Sequence, residues 1–313
     1  MLQGHAGPVT SVCYSPRGDR LASTGLDGTL RCWDRATARS LAVIRDNDGP
    51  LRCAEFSPDG RRLAAAGDDA MLRIYDAATM QLLDTCSGSY WPLSSIAWSP
   101  QADRITAGSS DRVHGSTVVV WRTRGLRKIG SLSIGHYEIH GLVFTPNGRR
   151  IAIASGMPAL VLWSSSELPF TELDELPSHA FHVHALEENT SPQLIRLLQR
   201  NAVRSVSASP NRQRLATADG NEVLLWEWRT GRVTGRLSDH RETVTAVEFA
   251  WSGELLASAA ADGAVCIWHE SSQRLIAKFD WELGALTDVA FSPDGQTAAA
   301  AAGCEILMWD LDD

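Results

Sequence analysis

The sequence predicts an all-β protein, a closed ring of seven four-stranded antiparallel units, and two phased markers carry the prediction. The first is a turn motif of the form F-S-P-D-G. Its proline, or the residue in its place, falls at Pro16, Pro58, Pro100, Pro146, Pro210, Trp251 and Pro293, so successive steps are 42, 42, 46, 64, 41 and 42 residues. The second is an aromatic that closes a hydrophobic run in each copy: Trp33, Tyr75, Trp121, Trp163, Trp226, Trp268 and Trp309. A period near forty residues, with several short strands per copy, belongs to one closed array. Residues 1–313 are therefore read as a single domain.

The first copy shows how each unit is built. Val9 to Tyr14 alternates in polarity, Ser15 to Asp19 is turn chemistry, and Arg20 to Thr24 is a short strand of small residues. Leu26-Asp27-Gly28 turns again, Thr29 to Trp33 is a third strand, and Thr37 to Ile44 supplies a fourth. Four short strands separated by Pro, Gly and Asp turns form an antiparallel meander. One such sheet has two apolar faces and cannot bury both alone, so copies must stack face to face around an axis. The segments LAST, LAAA, TAGS, LATA, LASA and AAAA put small residues where the second strand is crowded by its neighbours.

Composition narrows the function classes. The six cysteines show no CxxC spacing and sit mostly inside strand-like runs, so they read as small core hydrophobes. A net charge of −8 is the wrong sign for a surface that tracks phosphates, and no nucleic-acid partner is expected. No apolar run approaches the roughly 18 residues of a membrane span, and MLQGHAGPV carries no secretion signal. A soluble, cytoplasmic protein with no membrane partner is expected. Lys128 and Lys278 are the only lysines, a bias that points to a high-GC bacterial genome.

With these residues in view, the chain resembles the WD40 repeat family of β-propellers. Gly4-His5, Ser15-Pro16, Leu21-Ala22-Ser23, Asp27-Gly28 and Trp33-Asp34 match its consensus in the first copy, and His240, Leu256-Ala257-Ser258, Asp262-Gly263 and Trp268 match it in the sixth. The resemblance implies seven blades, loops on two opposite faces and a narrow central channel. It also implies buried hydrogen-bonded tetrads: His5, Ser23, Asp27 and Trp33, and His240, Ser258, Asp262 and Trp268. The other copies are incomplete. The second has Asn47, Ala65 and Tyr75 in place of His, Ser and Trp, and alanines there suggest apolar packing.

The chain departs from the family pattern in two places. Rings of this family close when residues ahead of the first Gly-His provide the outer strand of the last blade, yet only Met1, Leu2 and Gln3 precede Gly4. Neither end is expected to supply a full outer strand. Either the natural protein is longer at its N-terminus, as part of a multidomain bacterial polypeptide, or a ragged last blade is tolerated. The second departure is the 64-residue step, which marks an insertion, 167–200, between blades 4 and 5. Within it, Ser191 reads as a helix cap and Pro192 as a first helical residue, followed by an apolar side of Leu194, Ile195, Leu197 and Leu198.

No nucleotide-binding, hydrolase or metalloprotease motif occurs, and most carboxylates lie in turns such as Asp59-Gly60. No cofactor and no catalytic residue is expected. His179, His182 and His184 in the insertion are the exception: they are either surface histidines or the zinc ligands of a metal-dependent, enzymatic propeller. The leading reading is a non-catalytic scaffold or sensor that binds a partner protein or peptide; the alternatives are that metal-dependent enzymatic propeller and a regulatory domain of a longer multidomain bacterial protein. The resemblance places partner contacts on the face of the loops between blades and the turns between second and third strands. Thr10, Arg52, Asp68, Tyr90, Trp91, His140, Arg204, Thr245 and Trp281 map to that face. Its two arginines suggest an acidic or carboxylate-bearing peptide.

Overall fold

The computed structural model describes residues 1–87, 90–111, 113–164, 171–172, 194–210 and 214–311. Among these residues seven sheets form, one per repeat, each built on four antiparallel strands. The first strands are Val9–Tyr14, Leu51–Phe56, Leu93–Trp98, Ile139–Phe144, Val203–Ala208, Val244–Phe249 and Leu286–Phe291. Each touches the first strands of both neighbouring blades, and Leu286–Phe291 touches Val9–Tyr14, so the ring closes.

Two recurring irregularities shape the blades. In all seven pairings of first with second strand the register shifts just after the first strand's opening residue, as between Val9 and Ser11 or Leu51 and Cys53. In five blades a second shift falls beside the closing aromatic, as between Cys32 and Trp33. Bulges of this kind raise the local twist, which gives each blade its propeller shape.

The second strands carry the packing. In Arg20–Gly25, Arg62–Gly67, Arg104–Ser109, Arg150–Ser155, Arg214–Asp219 and Leu255–Ala260, every residue after the first is buried. Both faces of these strands meet a neighbouring blade, so only small side chains fit at close-packed density. The buried apolar residues fall into seven clusters, and each cluster draws on two adjacent blades. The core is thus a set of seven interfaces. The one joining Leu2 and Ile306 to Val9, Val12 and Trp33 seals the last blade onto the first.

The structure corrects the sequence reading at the insertion. The predicted helix around Leu194 is a strand, Leu194–Leu198, which pairs antiparallel with Ala159–Trp163 as the outer strand of blade 4. The edge of Ala159–Ser164 needs a partner for its backbone groups, and this tertiary demand overrides a helical pattern. Thr171–Glu172 adds a short parallel pairing to Leu132 and Ser133 of blade 3. At the other departure, Leu2–Gln3 is the outer strand of blade 7, paired with Ile306 and Glu305. It covers two residues of Glu305–Asp310, and among the described residues no strand covers the rest of that edge.

Candidate functional site

In the first blade the Trp33 indole N–H donates to Ser23 Oγ at 2.8 Å, and Ser23 Oγ lies 2.8 Å from His5 Nε2. The serine proton then goes to Nε2, which leaves Nδ1–H to donate to Asp27 at 3.1 Å. Ala6 N–H and the Thr29 hydroxyl also donate to Asp27, at 2.8 Å each. Burial pushes the Asp27 carboxyl up, but these donors outweigh it and hold it at about 2. Burial likewise lowers the His5 pKa against the pull of Asp27, which favours the neutral ring. Blade 6 has the same geometry. Trp268 Nε1 is 2.9 Å from Ser258 Oγ, Ser258 Oγ is 2.8 Å from His240 Nε2, and His240 Nδ1 is 3.2 Å from Asp262.

The degenerate copies are not uniformly apolar, which corrects the expectation drawn from their alanines. In blade 5, Trp226 Nε1 donates to Thr217 Oγ1 at 2.9 Å, and Gln199 Nε2 donates to the same hydroxyl at 2.6 Å. Asp219 accepts from Asn201 N–H at 2.8 Å. In blade 2, the Tyr75 hydroxyl donates to Asp46 at 2.7 Å, while Arg73 pairs with Asp69 at 2.6 Å. Blade 7 does turn apolar: Trp281 lies 4.7 Å from Trp309 and stacks on Phe279 at 5.6 Å. Trp281, a partner-binding candidate from the sequence, is engaged in this packing. Ala300 occupies the place of Ser23, and the Trp309 indole N–H is buried without an acceptor among the described residues.

At the channel mouth, the second residue of each first strand forms a ring of seven side chains. The hydroxyls of Thr10, Ser94 and Thr287 donate to the carbonyls of Leu51, Ile139 and Val9, each opening the first strand of the next blade, at 2.6 to 2.9 Å. Thr245 donates to Ala259 O within its own blade at 3.0 Å. Arg52 forks onto Asp68 through Nε and Nη2 at 2.7 and 2.8 Å. His140 is half-buried, and burial, then the charge of Arg204, lowers its pKa. Arg204 is exposed and makes no ion pair among the described residues. Around the mouth, Tyr90 is 96% exposed, and Trp91 stacks on His114 at 4.7 Å.

Below the mouth, a channel of about 380 Å³ is lined by the first strands. Each first strand is a sheet edge, so half of its backbone groups face the channel without a strand partner. Side chains of the preceding blade satisfy several of them. Trp98 N–H donates to Glu55, Phe291 N–H to Glu248 and Val12 N–H to Asp288, at 3.3, 3.2 and 2.9 Å. Ser205 and Ser207 accept from Val247 and Phe249. Burial pushes Glu55 up to about 8 and Asp288 up to about 6, and raises Glu248 well above the carboxylate range. The sequence reading missed these residues, although a carboxylate inside an otherwise apolar first strand was a visible signal.

His179, His182 and His184 lie outside the described residues. Among the described residues, no group of three or more His, Cys, Asp or Glu is placed to hold a metal ion. No helix there is long and apolar enough to cross a membrane.

The sequence has counterparts among known proteins. The family profile described as WD domain, G-beta repeat matches residues 1–34, 38–76, 231–269 and 274–310. Pre-mRNA-processing factor 19 homolog 2 of Arabidopsis thaliana is 32% identical over 113 residues, covering 35% of this chain and 21% of that protein. Periodic tryptophan protein 2 of the same plant is 25% identical over 231 residues, covering 61% of this chain and 25% of that protein. An uncharacterized WD repeat-containing protein of Synechocystis sp. is 28% identical over 168 residues, covering 50% of this chain and 48% of that protein. The chain thus matches about a fifth to a half of the length of these relatives. With the repeat markers, the tetrads and the closed seven-bladed ring, these matches identify the chain as a seven-bladed β-propeller that carries WD40 repeats, four of which the family profile matches.

Proposed function

We propose that this propeller is a non-catalytic platform that binds a partner protein or peptide at the channel mouth, on the face of the loops between blades. WD40 propellers generally serve as protein-interaction scaffolds. One observation carries the reading for this chain. Of the two mouth arginines, Arg52 is neutralised by Asp68, whereas Arg204 stands exposed beside His140 with no ion pair among the described residues. A carboxylate of an acidic peptide suits that position. Exposed Tyr90 offers an aromatic anchor of the kind that dominates interface energies. The ring of hydroxyl bonds between blades holds the mouth in shape, so binding leaves the backbone nearly unmoved.

The test compares wild type with an Arg204→Glu, Tyr90→Ala double variant in crosslinking and affinity capture followed by mass spectrometry. Both side chains are exposed, so the melting temperature stays within about 1 °C of wild type, since exposed sites shift stability little. Selective loss of captured proteins is expected, and identical capture by the two proteins rejects this face.

A further inference from the structure

At the end of each blade away from the channel mouth, the first residue of the second strand faces the last residue of the third. In blades 1, 2 and 5 this row sets an arginine against an acid: Arg20 faces Asp34, Arg62 faces Asp76 and Arg214 faces Glu227. Glu227 in turn faces Arg232 on the outer strand, so the row of blade 5 alternates in charge. The acid also holds the turn that follows it. Asp34 accepts from the Thr37 N–H and hydroxyl at 2.8 and 2.7 Å, and Asp76 accepts from the same groups of Thr79 at 2.8 and 2.9 Å.

Blade 3 breaks this rule. Arg104 faces Arg122, and Arg122 faces Arg127, so three cations stand side by side on one face of the sheet. Like charges placed directly opposite each other destabilise a sheet. The turn after Arg122 has lost its acid as well: Arg124–Leu126 has no side-chain cap, and Leu126 sits at a φ of 40°. Segment 122–128 carries Arg122, Arg124, Arg127 and Lys128 and no acid, in a chain of net charge −8. Arg104 lies 3.5 Å from Asp103 and donates to Gly148 O of blade 4 at 2.9 Å, next to Arg149. Arg122, Arg124, Arg127 and Arg149 are exposed and make no ion pair among the described residues.

A rule kept by sister blades and broken at a cost to stability marks a place shaped for something outside the chain. We propose that the arginine row of blade 3 is a docking site for an acidic segment of a partner polypeptide, whose carboxylates supply the acids that the row lacks. Adjacent strands lie about 4.8 Å apart, so the row spans roughly 10 Å, the reach of about three residues of extended chain. Arginine forks grip carboxylates bidentately. No exposed aromatic in segments 122–128 or 145–150 offers a surface for stacking a nucleobase, and Leu126 is buried rather than free to enter a lipid layer. The row lies at the opposite end of the strands from the channel mouth, so it acts whether or not the mouth binds a partner.

The probe is an amidated hexaglutamate peptide with an N-terminal fluorescein, followed by fluorescence anisotropy on the full chain. Saturable binding is expected at about 20 mM salt and binding about fivefold weaker or less at about 200 mM, because salt screens exposed charges. Arg122→Asp restores the acid of blades 1 and 2. It is expected to weaken binding about tenfold or more and to raise the melting temperature by about 2 °C, since it returns both a partner for Arg104 and an acceptor for the turn. Arg39→Asp makes the same charge change at an exposed residue of the corresponding turn in blade 1 and is expected to change affinity by less than about twofold. Absence of saturable binding at low salt overturns the proposal, as does undiminished binding by Arg122→Asp or an equal loss in Arg39→Asp. A lowered melting temperature for Arg122→Asp overturns it too, because the row is then part of what holds blade 3 together. Tighter, Arg122-dependent binding of a short oligothymidylate also overturns it, by making phosphate rather than carboxylate the preferred anion.

Discussion

Each blade's closing aromatic offers one polar hydrogen at its tip, and what receives it sets the local chemistry of the blade. Ser23 and Ser258 receive it in blades 1 and 6, where the His and Asp-Gly residues around them made the networks legible in the sequence. Thr217 receives it in blade 5, but Gln199 lies at the end of the insertion, where the repeat spacing is lost and no Gly-His marks the place. The Tyr75 and Asp46 pair was hidden for a similar reason, since a phenol reaches an acceptor that an indole does not. The channel carboxyls give the sharpest test at this scale. Glu55 has its usual value near 4.5 in the unfolded chain and about 8 in the fold. Between those values the folded state holds a proton that the unfolded chain has released. Its contribution to stability is therefore complete below pH 4.5 and is lost as pH rises toward 8. Glu248 and Asp288 act with the same sign. Buried His5 and His240 act oppositely, because their lowered values withdraw stability as pH falls below 6.5. Glu55→Gln keeps an oxygen for Trp98 N–H and removes the titration. The melting temperature of this variant relative to wild type is expected to rise from pH 4.5 to 8 and then level off. A difference that does not change with pH would show that Glu55 ionises normally.

At the scale of elements, the first, second and third strands were legible because their spacing and turn residues repeat. The outer strands were less so, because they face solvent and carry little periodicity: Leu82–Ser87 is exposed at five of six positions. Leu194–Leu198 was the extreme case, a strand whose identity depends on the edge it covers rather than on its own pattern. The end of the second strand also hides a constraint that composition does not reveal. At the register shift of blade 2, Leu51 faces Gly67, and a Cβ on Gly67 would run into the carbonyl oxygen of Pro50. That contact is backbone against backbone, so no flexible side chain can move aside. Gly67→Ala is expected to destabilise the protein by about 1–3 kcal/mol, the usual effect of forcing atoms into a packed site. Urea unfolding measures it, and a midpoint equal to wild type would mean that the first strand of blade 2 shifts freely.

At the scale of the whole molecule, seven apolar interfaces of similar construction are linked in a circle, and only the one between blades 7 and 1 is not bridged by a short loop. Its contacts join residues from opposite ends of the sequence. Val12 N–H reaches Asp288, Thr287 reaches Val9 O, and Leu2, 2% exposed, packs with Val9, Trp33 and Ile306. Opening this interface uncovers two blade faces at once, and each neighbouring interface then loses the constraint that held its blade in the ring. Closure therefore makes the seven interfaces depend on one another, unlike the terminal units of an open array, which fray one at a time. Leu2→Ala tests this. Removing a buried leucine side chain costs about 2–5 kcal/mol, and if the ring is cooperative the whole cost appears in a single transition. Tryptophan fluorescence, which averages over blades, and far-ultraviolet circular dichroism are expected to give one shared, lowered midpoint. Two separated midpoints, with most of the fluorescence change in the upper one, would show that blades 7 and 1 part while the rest stays folded, and that closure adds little to the stability of the ring.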